Sequence, residues 1–134
     1  MEELKKNLDI LWASRVLEYH FDMLTNKVSF HLETIDNGNI YKYEINFNRV
    51  SLFYFINDNT ESRKNMYAPD EDDYLEFTSI NILQDAEVIL DSCRDNWIEQ
   101  YKGKANICIE IWSKLILIEA DSIELNSTVY LLNK

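Results

Sequence analysis

His20 and His31 are the side chains of this chain whose type and spacing come nearest to a chemical site, because Glu18, Glu33 and Glu44 accompany them. A tight turn at Thr25-Asn26 between two strands would set His20 directly across from His31. A second hairpin would set His31 across from Glu44. Two imidazoles and several carboxylates on one patch form a donor set for a divalent metal, or for weak hydrolysis. The same register makes Lys42 opposite Glu33 a plain cross-strand ion pair, and a flat sheet face gives no concavity for a substrate. The expected role is therefore a solvated sheet face, with no catalytic, metal-binding or cofactor-binding residue assigned.

Other chemistry fares no better. Cys93 and Cys108 have no neighbouring Cys or His, so they read as reduced thiols rather than a zinc site or a disulfide framework. Two glycines in the whole chain nearly exclude phosphate-cradling loops. The acidic run Asp70, Glu71, Asp72 and Asp73 lacks the Gly and the distal Glu of a calcium loop. It reads as an exposed charged loop, or as a docking patch for a basic protein. The chain is not read as an enzyme.

The elements that would position these residues follow from periodicity and turns. Leu4, Leu8, Leu11 and Trp12 share one face of a helix over residues 3–14, whose apolar stripe is expected to pack on a sheet. Strands are expected at 16–23, 28–35, 40–48 and 50–56 as an antiparallel meander. Asn37-Gly38 is the strongest short signal for a type I′ hairpin, and it sets Phe30 opposite Ile45, Leu32 opposite Tyr43 and Val28 opposite Phe47. The Thr25-Asn26 turn sets Phe21 opposite Phe30, and a turn at Asn48-Arg49 sets Leu52 opposite Ile45 and Tyr54 opposite Tyr43. A slip of one residue would reverse every side chain, so this agreement argues for one buried face.

Residues 57–73 break the pattern and read as a long exposed loop. Leu75 and Phe77, then Ile80 and Ile82, alternate on shifted parity, which predicts a strand with a bulge near Ser79. Ser92-Cys93-Arg94-Asp95 resembles a capping box, so a short helix is expected over 93–102, with a longer helix from Asp85 as its rival. Further strands are expected at 105–112, 115–121 and 122–132. There a turn at Ser113-Lys114 pairs Ile111 with Ile116 and Ile109 with Ile118, and a turn near Asn126-Ser127 pairs Ile123 with Tyr130. The fold class is thus α+β, mainly antiparallel β. A meander of four N-terminal strands and a C-terminal set of hairpin strands join an N-terminal helix and one further short helix in a single domain over residues 1–134, as two sheets or one strongly bent sheet.

Phe53 and Phe55 fall opposite to Leu52 and Tyr54, on the side of His31, Glu44 and Lys42. Trp112 and Leu115 fall away from the isoleucine face. These aromatics are either covered by the chain itself or left as a surface patch. The net charge of -11 and the pI near 4.5 disfavour nucleic acid and anionic membranes and favour a basic partner. Exposed strand edges leave a homodimer open. No segment has the roughly 18 apolar residues of a membrane helix, the first residues do not read as a signal peptide, and the expected location is the cytoplasm.

Ile109-Glu110-Ile111-Trp112-Ser113, then Leu115, Ile118-Glu119-Ala120 and Ile123, resembles the ending of the YxiG-like family of small bacterial proteins. Trp12 before two hydrophobic strands and Ile45-Asn46-Phe47 with Val50 are similar as well, so the resemblance spans most of the chain. In size and layout that family is similar to immunity proteins of polymorphic toxin systems, which implies neutralisation of a toxin by binding. With the charge of -11 and the lack of catalytic equipment, the resemblance makes the expected function an immunity protein for a basic toxin domain. The acidic run and the outlying aromatics, not the family, supply Phe53, Phe55, Asp70, Glu71, Asp72, Asp73 and Trp112 as its partner-binding residues. The rival expectations are a small-molecule binder or weak hydrolase at His20 and His31, and an acidic DNA mimic.

Overall fold

The computed structural model describes residues 2–59, 61–62, 64–66, 68–92 and 94–132, apart from the side chain of Asp85. Helix α1 (Glu2–Asp9) carries Glu2 and Glu3 in its first turn and Lys6 in its last, each charge complementing the helix dipole. It is shorter than expected. After Asp9 the chain turns, Leu11 donating its N–H to the Leu8 carbonyl at 3.0 Å, and Ala13 adopts φ +63°. Leu4, Leu8 and Leu11 are still buried in the core as the stripe predicts. Trp12 is not: the turn sets it at the surface, where its indole N–H donates to the Ile80 carbonyl.

Among the described residues nine strands follow: β1 (Ser14–Asp22), β2 (Lys27–Asp36), β3 (Asn39–Asn48), β4 (Leu52–Asn57), β5 (Leu75–Val88), β6 (Gly103–Ile111), β7 (Lys114–Glu119), β8 (Ser122–Leu125) and β9 (Thr128–Leu131). They form one sheet in the order β4-β7-β6-β5-β1-β2-β3-β8-β9, with every neighbouring pair antiparallel. The mainly antiparallel class stands as read. So does the central hairpin: Asn37 and Gly38 both have positive φ, and Phe30, Leu32 and Val28 face Ile45, Tyr43 and Phe47. The bulge near Ser79 and the pairing of Ile123 with Tyr130 are also present.

The four-strand meander is corrected. At residues 49–51 the chain leaves the sheet, because Arg49 takes φ +53° and the Val50 N–H donates to the Asn26 carbonyl at 2.8 Å. β8 takes the place beside β3, setting Leu125 and Ile123 against Ile45 and Phe47, while β4 pairs with β7 at the far edge of the sheet. Leu52 thus faces Glu119 rather than Ile45, and Tyr54 faces Leu117 rather than Tyr43.

Two hairpin registers are corrected by two residues. Asp22 accepts hydrogen bonds from the N–H groups of Leu24 and Thr25, which closes a loop of residues 23–26 and pairs Phe21 with Val28 and Tyr19 with Phe30. The β6–β7 turn lies at Trp112-Ser113, where Trp112 takes φ +54°, so Ile109 faces Ile116 and Ile107 faces Ile118. The tract from Asp85 is strand as far as Val88, against the rival helix. A 3-10 turn at Asn96–Gln100 stands within the span expected for the short helix, while Cys93 lies outside the described residues. Residues 122–132 hold two strands rather than one.

The sheet curls onto itself. β1 touches β5 only through Ser14–Val16, and three strands separate β1 from β4, yet the Phe21 and Phe53 rings lie 4.7 Å apart. Inside the curl Phe30 meets Phe47 and Phe77 edge-on, and Ile45, Ile80, Ile107, Ile109, Ile118 and Ile123 are almost wholly removed from water. Each such side chain contributes roughly 1.5–3 kcal/mol of transfer free energy.

Candidate partner-binding surface

The histidine patch does not assemble as the turn at Thr25-Asn26 predicted. His20 faces Ser29, and a bulge at Leu17 brings Glu18 opposite His31. His20 contacts Glu18 at 3.0 Å, and His31 lies 3.8 Å from Glu44, its expected cross-strand partner. Among the described residues no group of three or more His, Cys, Asp or Glu side chains could hold a metal ion. Glu33 faces Lys42 as expected, without a salt bridge among the described residues.

Two hollows, separated by the start of β5, bear on the candidate site. The larger is a cleft of about 830 Å³ lined by the aromatic rings of Trp12, Tyr41, Tyr43 and Tyr74, by the carboxylates Glu33, Asp36 and Glu76, and by Arg15. Arg15 is set between two acids by pairing, with Glu33 across from it on β2 and Glu76 on β5. Its guanidinium nevertheless lies over the Tyr74 ring, 5.0 Å from the centroid, a cation–π geometry. Carboxylates thus outnumber cations on a wall of aromatic rings, a composition that attracts a cationic group.

Trp112 buttresses this wall. Its indole N–H donates to the Tyr74 carbonyl at 2.9 Å, and the two rings lie 5.8 Å apart. Its backbone N–H donates to Thr78 Oγ1 and to the Glu76 carbonyl, fixing the turn that presents it. The acidic run ends next to Tyr74 in a turn of its own, closed by the Asp73 N–H on the Asp70 carbonyl and by the Asp70 N–H on the Asp73 carboxylate. Asp70, Glu71, Asp72, Asp73, Tyr74 and Trp112 are therefore neighbours on the surface, all of them exposed.

Phe53 and Phe55 belong to the second hollow. They do not share the face of His31, Glu44 and Lys42 but point to the inside of the curl, opposite Ile118 and Ile116. There they line an almost wholly apolar groove of about 240 Å³ with Tyr19, Phe21, Leu75 and Ile111, and His20 reaches its rim, against the flat face expected for it. The chain covers Phe53, which packs on Phe21, but leaves Phe55 51% exposed. Tyr74 and Leu75, consecutive in sequence, line the cleft and the groove respectively. Sequence reading missed Trp12, Arg15, Tyr41, Tyr43 and Tyr74. Trp12 and Tyr43 carried an apolar signal that was spent on the core, and nothing in the spacing announced that Arg15 and Tyr74 would meet.

The chain belongs to the YxiG-like protein family, whose model matches residues 4–130. No curated protein matches it. Among the described residues no helix is long and apolar enough to cross a membrane.

Proposed function

We propose that this protein is an immunity-type binder, which neutralises a basic toxin domain by direct contact in the cytoplasm of the cell that makes both. The observation that carries this reading is the convergence of aromatic rings and carboxylates around the cleft and its Trp112 buttress, on a chain of net charge -11. Carboxylates on the rim, including Asp70, Glu71, Asp72 and Asp73, would speed encounter with a cationic partner, and aromatic anchors would slow its departure. Hydrolysis at His20 and His31 has less support, because the two imidazoles do not face each other and His31 lines neither the cleft nor the groove that His20 borders. The acidic run is one short turn, which is little support for a DNA mimic.

Co-expression with a toxic domain, sought among the genes that neighbour its own, tests the reading. The chain is expected to restore growth and to bind that domain with an affinity that falls as salt rises. Trp112→Ala and Tyr74→Ala should each weaken binding by about 30-fold or more, the effect of losing a hot-spot aromatic. His20→Ala with His31→Ala should leave binding unchanged. Full binding by both aromatic variants would refute the proposed surface, and no rescue by the intact chain would refute the function.

A further inference from the structure

We propose that β4 is a self-pairing edge, through which two copies of this chain join antiparallel about a two-fold axis at Tyr54. Leu52–Asn57 has the sequence Leu-Phe-Tyr-Phe-Ile-Asn, with no charge and no proline, at the outer edge of the sheet. Edge strands in soluble proteins are usually blunted by lysine, proline or a bulge, and a six-residue aromatic strand without them is a template for another strand. The Asp58 N–H donates to the Ser113 carbonyl on the β7 side, which fixes the phase of the ladder. Alternation then turns the backbone groups of Tyr54 and Ile56 toward β7 and those of Phe53 and Phe55 outward.

The occupant follows from charge and register. A basic partner would be recognised by carboxylates, and this strand has none. A second copy meets no like charge along it, although each chain carries -11. Faces are preserved only if each residue meets one of the same parity. An axis at Tyr54 pairs Phe53 with the second copy's Phe55 through the outward backbone groups, and Leu52 with its Ile56. An axis at Phe55 would instead set Leu52 against the carboxylate of Asp58. The Tyr54 axis also places two further phenylalanines beside Phe53 and Phe55, on the face where Tyr19, Phe21 and Phe55 are exposed. An isologous contact of this kind closes as a dimer and does not propagate.

Sedimentation across a concentration series tests this on the whole chain. The mass is expected to rise to twice that of the monomer, and Phe55→Lys is expected to hold the chain monomeric with unchanged circular dichroism. In a background of Cys93→Ser and Cys108→Ala, Tyr54→Cys should form an intermolecular disulfide on mild oxidation, because the paired residues meet at the axis. Leu52→Cys and Ile56→Cys should not, since each would lie roughly 14 Å from its own copy. A wild-type chain that stays monomeric, a dimer that survives Phe55→Lys, or cross-linking at 52 or 56 as readily as at 54 would overturn the proposal.

Discussion

Asn106 and Ala120 form a closed ring of two hydrogen bonds: Asn106 Nδ2 donates to the Ala120 carbonyl at 2.9 Å, and the Ala120 N–H donates to Asn106 Oδ1 at 3.1 Å. Both residues are buried, and Ala120 lies where β7 gives way to β8. One amide side chain on β6 thus satisfies both backbone groups of Ala120, which lies between two strands rather than within one.

Asn106→Ala is therefore expected to cost about 2–4 kcal/mol, because it leaves a buried donor and a buried acceptor without partners. Urea denaturation would read this as a fall in the midpoint with an unchanged slope. A loss below about 0.5 kcal/mol would show that water takes over both bonds.

The contrast between turns explains what the sequence made legible. Asn37-Gly38 states its own conformation, since both residues tolerate positive φ, and every pairing across that hairpin was readable from it. At residues 23–26 the register depends on the Asp22 side chain capping Leu24 and Thr25, and a two-residue error there preserved the apolar face while moving His20 away from His31. The departure of β4 was invisible for a different reason. Leu52 and Tyr54 match Ile45 and Tyr43 as well in hydrophobicity as they match β7, so pattern alone could not choose between neighbours that are adjacent in sequence and neighbours sixty residues apart. The cleft joins residues from the end of α1 to the start of β5, and its surface exists only once β1 has bridged β5 and β2.

Ser14 gives a prediction of opposite sign. Its hydroxyl is buried at the β1–β5 contact and has no hydrogen-bond partner among the described residues. Removing an unsatisfied hydroxyl relieves a desolvation cost, so Ser14→Ala should leave stability unchanged or raise it by up to about 1 kcal/mol. A loss of more than about 1 kcal/mol in thermal or urea unfolding would mean that the hydroxyl is bonded.

Acid should loosen the β1–β2 loop through Asp22. Hydrogen bonds from the Thr25 backbone, the Thr25 side chain and the Leu24 backbone, with Lys27 nearby, hold its carboxyl below the ordinary value of 3.8. A depressed carboxylate stabilises the fold fully above that ordinary value and stops doing so as pH falls through the lower, folded value. Asp22→Asn should therefore melt below the wild type at pH 7, and the gap should close as the pH is taken below 3.8. A gap of constant size from pH 7 to pH 2 would place the effect in amide geometry rather than in charge.

Cys108 should be a slow nucleophile. Burial on β6 raises its thiol above the ordinary value of 9.0, and the nearby Glu110 carboxylate adds to the rise. The thiolate is the reactive form, so at pH 8.5 the folded chain should alkylate with iodoacetamide more slowly than the same chain in urea. The linkage runs the same way: a raised thiol supports the fold below pH 9.0 and withdraws that support as pH climbs through the folded value. Measured in a Cys93→Ser background, Glu110→Gln should speed alkylation, but less than unfolding does, because burial is the larger cause. Equal rates in the folded and unfolded chain would show that Cys108 is open to solvent.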